Sequence, residues 1–165
     1  MTASFDFDEV ATFTTGTEGR PGARVFYLQA STDTDIVTLR LEKQQVEALA
    51  EYLERVATRF ALEATDPEPM PALQTPVIPE WVIGSMMVAI DQNESRIVVI
   101  AEELTFSDDE DLDSVEGAQA RFSLTPAQAA GFVLGAREVI SGGRPICRLC
   151  GRPIDPDGHF CPRMN

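Results

Sequence analysis

The chain contains a single histidine, a single tryptophan and three cysteines among its 165 residues. One histidine leaves no free base for a Ser-His or Cys-His catalytic pair once that histidine has another role. A glycine-rich phosphate loop ahead of a helix and a Gly-x-Ser-x-Gly nucleophile elbow are both absent from the sequence. No apolar run approaches the ~20 residues that a membrane-spanning helix needs. The sequence therefore gives little support to an enzyme.

Basic residues are also scarce. Thirteen Lys and Arg stand against 27 Asp and Glu, which gives a formal net charge of −14 and a pI near 4.3. Such a charge repels nucleic-acid backbones and anionic membranes, so we expect neither as a main partner. Segment 1–8 has no basic region and no apolar core, so we expect no secretory signal there. The composition predicts a globular cytoplasmic protein.

The first half of the chain predicts three strands followed by one helix. Apolar alternation at 5–15, 24–30 and 35–41 predicts the strands. From Lys43 to Glu63 the apolar period becomes that of an amphipathic helix. The apolar stripe of this helix consists of Val46, Leu49, Ala50, Leu53, Val56 and Ala57.

A proline-rich connector and a second set of the same elements follow. Segment 66–79 holds five prolines, which exclude a helix or a central strand, so we predict an extended connector. Strands are predicted at 80–90, 96–106 and 120–124. A second helix is predicted to begin after Thr125, with proline at its first position and glutamine at its third, and to end at Gly142-Gly143.

A shift of 83 residues relates the two helices. It places the stripe of the first helix on Ala129, Phe132, Val133, Ala136, Val139 and Ile140, which are all apolar. Any two amphipathic helices align when slid to their best register, but the strand-strand-strand-helix order of both halves favours a duplicated unit. We therefore predict an α+β domain over 1–143, with pseudo-repeats at about 1–65 and 80–143, antiparallel sheets and helices on one face.

All cysteines and the only histidine lie close together in the C-terminal tail, residues 144–165. Cys147 and Cys150 form a Cys-x-x-Cys pair, and Gly151 after it lets the backbone curl toward a metal ion. His159 and Cys161 supply an imidazole and a third thiolate. Four ligands of this type, with none to spare, predict a closed, tetrahedral, structural zinc site and a zinc knuckle.

Three other chemistries fit this cluster less well. A thioredoxin-like redox pair would follow a strand and open a helix, whereas this pair follows a helix stop and an Arg-Pro. A disulfide is disfavoured in the cytoplasm and leaves one cysteine over. An iron–sulfur cluster usually takes four thiolates. The spacing to His159 is short, so Asp155, Asp157 or a ligand from another chain remains an alternative for the fourth position.

The acidic segment 107–116 invites comparison with a calcium loop. It fails that template, because Ser114 stands where glycine is needed and Ala120 where the bidentate glutamate should be. We predict a solvated loop between strands instead. Trp81, which opens a strand after the connector, is predicted to be a packing anchor.

The tail pattern Cys-x-x-Cys-Gly-x-Pro, followed by Gly-His-x-Cys-Pro-Arg-x-Asn, resembles the end of a family of small uncharacterised actinobacterial proteins. The similarity extends over nearly the whole chain, including the Glu80-Trp81 strand and the connector, although only the tail is specific. The resemblance implies a domain of unknown function and supplies no activity and no catalytic residues.

These features favour a zinc-binding, non-enzymatic accessory or partner-binding protein whose partner is another protein. Four arginines and two aspartates give the tail a charge of +2, so the rest of the chain carries −16. One alternative is a metal-dependent or phosphate-handling enzyme with its site between the two repeats. Another is a zinc-knuckle nucleic-acid binder, which the acidic body disfavours.

Overall fold

The computed structural model describes residues 2–20, 22–62, 66–106, 116–142, 147–152, 154 and 158–164. Over these residues the chain forms seven strands and two helices in α+β order. The elements are β1 Phe5–Phe7, β2 Thr12–Glu18, β3 Val25–Ser31, β4 Ile36–Leu41, α1 Lys43–Arg59, β5 Ile83–Asp91, β6 Arg96–Glu103, β7 Gln119–Leu124 and α2 Pro126–Ser141. The predicted acidic loop falls almost wholly at 107–115, outside the described residues.

The strands form two sheets that meet at one short parallel pairing. The first sheet has the order β2-β3-β4 and the second has the order β1-β7-β6-β5. Between them, the main-chain N–H of Arg40 donates to the carbonyl oxygen of Trp81 at 3.0 Å, and the N–H of Glu80 donates to Thr38 at 2.8 Å. The short segment that precedes β5 therefore joins the second sheet to the edge of the first.

The two halves repeat the same strand-strand-strand-helix pattern, as predicted. In the first unit Leu28 lies opposite Leu39, and in the second Val99 lies opposite Phe122. The 83-residue shift carries all of β4 onto β7 and the first residue of α1 onto the first residue of α2. Both helices also begin with a capping box, in which a glutamine at the third position bonds back to the cap.

The prediction of a single strand over 5–15 is wrong. β1 belongs to the sheet of the second unit, where it pairs in parallel with β7, so that Phe7 lies opposite Phe122. The Phe7 and Phe122 rings pack edge to face with centroids 5.8 Å apart, and Arg121 pairs with Asp6 at 3.1 Å. These long-range contacts, rather than the local alternation, determine which sheet the segment joins.

The helices place their predicted apolar stripes on a core that both units share. Val46, Leu49, Ala50 and Leu53 of α1 are buried, as are Ala129, Phe132, Val133 and Ala136 of α2. The last two residues of each stripe are only half-buried. α1 ends at Arg59, about one turn before the predicted Glu63. α2 ends at Ser141 and is capped by Gly142, which adopts the left-handed conformation with φ of 69°.

The connector 66–79 contains no helix or strand, and it packs on the face of the first sheet that points away from the core. There the Thr14 hydroxyl donates to the Pro71 carbonyl, and the Gln29 side chain bonds the main chain of Gln74. On its other side, the N–H of Glu68 donates to the Ala127 carbonyl at 3.0 Å. The connector therefore covers polar side chains of β2 and β3 that would otherwise face water.

Candidate metal centre

The C-terminal tail brings its three thiols and its imidazole into one cluster. The ligand atoms of Cys147, Cys150, His159 and Cys161 all lie within 4.8 Å of one another. The Sγ atoms of Cys147 and Cys161 are 3.8 Å apart, and Sγ of Cys150 is 3.2 Å from Nε2 of His159. These four residues are close enough to bind one metal ion. The alternative ligands Asp155 and Asp157 lie outside the described residues.

The first pair of thiols is positioned by a tight turn. The N–H of Gly151 donates to the Cys147 carbonyl at 2.9 Å, and the N–H of Cys147 donates to Arg152 at 2.8 Å. Gly151 has φ of 72°, in the left-handed region that side-chain-bearing residues rarely adopt. The glycine after Cys-x-x-Cys therefore closes the turn, as the sequence predicted.

The environment of the cluster separates the pKa values of two thiols. The pKa of Cys147 is lowered to about 6 because the main-chain amides of Cys150 and Leu149 donate hydrogen bonds to its sulfur. The pKa of Cys161 is raised because burial disfavours its thiolate. Both side chains are buried, whereas Cys150 and His159 are half-buried. A thiolate at Cys147 is the ligand form that a metal ion requires.

Three large apolar side chains near the cluster are exposed. Leu149 is 50% exposed, Met164 is 73% exposed and Phe160 is 85% exposed. The described hydrogen bonds of the tail main chain join tail residues to one another, through Cys147, Gly151 and Met164. In the described part of the tail, Cys147 and Cys161 are therefore buried while these large apolar side chains are exposed. A small hydrophobic core would have the opposite arrangement.

The groove between the two repeats is lined by side chains of both charge signs. It lies between α1 and α2, holds about 500 Å³ and is lined by Lys43, Glu47, Glu51 and Arg137, among others. The Arg137 guanidinium donates to the Glu54 carboxylate at 2.5 Å, and this hydrogen bond lowers the pKa of Glu54. Because Arg137 is paired with a carboxylate and Lys43 lies beside Glu47 and Glu51, the lining has no excess of positive charge that would favour a phosphate site.

Fold and cluster together define an α+β protein with a C-terminal set of metal-ligand side chains. The chain belongs to the family described as protein of unknown function (DUF3090), whose model matches residues 5–161. No curated protein and no solved structure matches the chain. Among the described residues, no helix has the length and apolar character needed to cross a membrane.

Proposed function

We propose that Cys147, Cys150, His159 and Cys161 bind one structural zinc ion, and that the protein is a non-enzymatic module that binds a protein partner. The observation that carries the metal assignment is the proximity of the four ligand atoms, all within 4.8 Å of one another. Thiolates and imidazole suit zinc, whereas calcium and magnesium take oxygen ligands. A complete set of four leaves no open position for catalysis.

One sulfur–sulfur distance supports zinc over the other chemistries. Two sulfur ligands of a tetrahedral zinc ion, each about 2.3 Å from the metal, are separated by about 3.8 Å, and Cys147 and Cys161 match this spacing. A disulfide would need its sulfurs about 2.0 Å apart. The three cysteines fall one short of the set that usually holds an iron–sulfur cluster.

The proposed ion would stabilise the folded tail, because the large apolar side chains of the tail are exposed and not buried. With Leu149, Phe160 and Met164 exposed, the described residues of the tail form no apolar core that could offset the loss of conformational entropy. Metal binding then supplies the missing folding free energy, as in other small metal-binding modules.

The exposed surface of the tail supports partner binding. Phe160 and Met164 offer apolar area, and Arg148 and Arg163 place positive charge nearby in the sequence. Aromatic and arginine side chains are enriched where proteins bind one another. An acidic protein surface that carries apolar residues is the partner that this combination fits.

Metal analysis of the purified protein tests the zinc assignment. Protein prepared without chelator should contain about one zinc per chain, and Cys147→Ser and Cys150→Ser should each lose most of it. Arg152→Ser, which alters the same tail without removing a ligand, is the matched control and should keep its zinc. Wild-type protein without near-equimolar metal, or full zinc in Cys150→Ser, contradicts the proposal.

Nucleic-acid binding is the second candidate, because an exposed aromatic ring near arginines can stack on a base. Phe160 is 85% exposed, which satisfies this requirement. The net charge of −14 opposes it. Titration of a fluorescent single-stranded RNA at low salt should therefore show no binding. Binding that weakens with salt and is lost in Phe160→Ala would favour this candidate over a protein partner.

A further inference from the structure

β5 has an open outer edge over most of its length. It is the terminal strand of the second sheet and pairs with β6 on its other side. The segment before it meets the first sheet at Val82, opposite Arg40, but β4 ends at Leu41. Among the described residues outside the sheet, only Gln45 hydrogen-bonds the β5 main chain, at Ile83 and Gly84. The main chain beyond Ser85 is therefore available for pairing.

This edge lacks the features that prevent strands from associating. Residues 83–90, Ile-Gly-Ser-Met-Met-Val-Ala-Ile, include no charged residue and no proline. The irregularity in pairing lies at the start of the strand, between Ile83 and Ser85. Exposed edge strands are normally short, bulged or charged, because their unpaired amides and carbonyls recruit another strand. Nine residues make β5 the longest strand described.

The other strands at the sheet borders are protected. β1 has three residues and includes Asp6, which pairs with Arg121 at 3.1 Å. The connector crosses the outer side of β2, because it contacts α2 on one face, where the Glu68 N–H donates to Ala127, and accepts a hydrogen bond from Thr14 at Pro71 on the other face. The edge of β4 is hydrogen-bonded to segment 80–82. Only β5 offers a long regular edge among the described strands.

A groove beside this edge has room for the side chains of an added strand. It holds about 360 Å³, lies between α1 and β5, and is lined by Ala48, Leu49, Tyr52, Met86, Met87 and Val88, among others. Tyr52 is 50% exposed and Met87 is 58% exposed. A strand paired with β5 would lie about 4.8 Å away, with one row of its side chains facing the groove and α1.

We propose that the protein forms a two-fold symmetric dimer in which β5 pairs antiparallel with β5 of a second copy. In such a pairing each residue faces its own counterpart or a near neighbour, so a charge near the centre would meet a like charge. The span 86–90, which lies beyond Ser85, is uncharged within a chain of net charge −14 and meets this condition. Each copy has one such edge, so pairing closes at two copies and joins two four-stranded sheets.

The mass of the protein in solution tests this inference. Sedimentation equilibrium from about 1 to about 100 µM, the range of a weak specific interface, should show a dimer that dissociates on dilution. In a pairing centred on the span 86–90, Met87→Lys places two ammonium groups diagonally on the same face of the joined sheet, and it should raise the dimer dissociation constant at least about tenfold. Leu134→Lys, on α2 and 54% exposed, is the matched control and should dimerise like wild type.

Amide hydrogen exchange locates the interface. The amides of β5 beyond Ser85 should exchange more slowly at high than at low protein concentration, and circular dichroism should show both lysine variants folded. A monomer at about 100 µM, tight dimers of Met87→Lys, or unchanged exchange in β5 would each overturn the inference. Cys150→Ser should dimerise like wild type, which separates this result from failure of the zinc assignment.

Discussion

At the residue scale, Gln29 fixes the connector to the first sheet. Its side chain is only 2% exposed. Its amide nitrogen donates to the Thr38 hydroxyl at 3.0 Å and to the Gln74 carbonyl at 3.1 Å, while its oxygen accepts from the Gln74 N–H at 2.8 Å. A buried amide stabilises a fold only while its partners remain in place, because an unpaired buried polar group is costly.

Replacement of Gln29 by leucine should therefore destabilise the protein. Gln29→Leu leaves the main-chain N–H and carbonyl of Gln74 without these partners, and we expect a loss of about 2 kcal/mol in the free energy of unfolding. Equilibrium urea denaturation measures it. Gln44→Leu, at an exposed position of α1, is the control and should change stability by less than about 0.5 kcal/mol. Equal stability of Gln29→Leu and wild type would show that these bonds do not hold the connector.

The sequence predicts some of these residues and not others, for a physical reason. The metal-ligand cluster was recognisable because its members lie within fifteen residues and their side chains have distinctive chemistry. Trp81 was predicted to be a packing anchor and is 5% exposed, with its indole N–H donating to Ala3 at 3.0 Å. Gln29 gave no signal, because its partner Gln74 is 45 residues away and only the folded chain brings them together.

At the scale of the elements, local patterns predicted the helices better than the strands. The start of α2 was predictable because Thr125 and Gln128 carry the capping box within one turn. The division of 5–15 into β1 and β2 was not, because alternation continues across it and distant contacts decide it. One of these is the hydrogen bond from the Gln128 amide to the Val10 carbonyl at 2.8 Å.

The packing of the connector on α2 depends on a glycine. A Cβ atom built at Gly131 would stand 1.6 Å from the carbonyl oxygen of Glu68, which is main chain and cannot rotate away. Helix propensity alone would make Gly131→Ala more stable by about 1 kcal/mol. We expect a net loss of about 1–3 kcal/mol instead, because the connector must move off the helix.

Gly135→Ala provides the matched comparison on the same helix. There the new Cβ atom would lie 2.6 Å from Cε and 2.8 Å from Cβ of Met70; Cε can move to another rotamer, whereas Cβ moves only with a small shift of the connector. Gly135→Ala should therefore lose less stability than Gly131→Ala in thermal denaturation. If both variants were equally stable, the close approach of Glu68 to α2 would not constrain the fold.

At the scale of the whole molecule, the two units share one hydrophobic core, and the described cysteines of the tail lie outside it. The core cluster draws residues from both sheets and both helices, for example Leu28, Leu53, Val99 and Phe132. Cys147 and Cys161 are buried, but they do not belong to that cluster. We therefore expect the body and the tail to respond differently to loss of metal.

Removal of the metal should unfold the tail and leave the body intact. The body has its own apolar core, whereas the tail exposes Leu149, Phe160 and Met164 and depends on the proposed ion. After treatment with a zinc chelator, amides beyond about residue 143 should lose protection from hydrogen exchange, and the thermal midpoint of the body should stay within about 2 °C of its original value. Added zinc should restore protection, and magnesium should not.

A tail that stays protected after complete metal removal would show that zinc does not hold it. Melting of the whole chain would show that the tail belongs to the main core and that the boundary near residue 143 is misplaced.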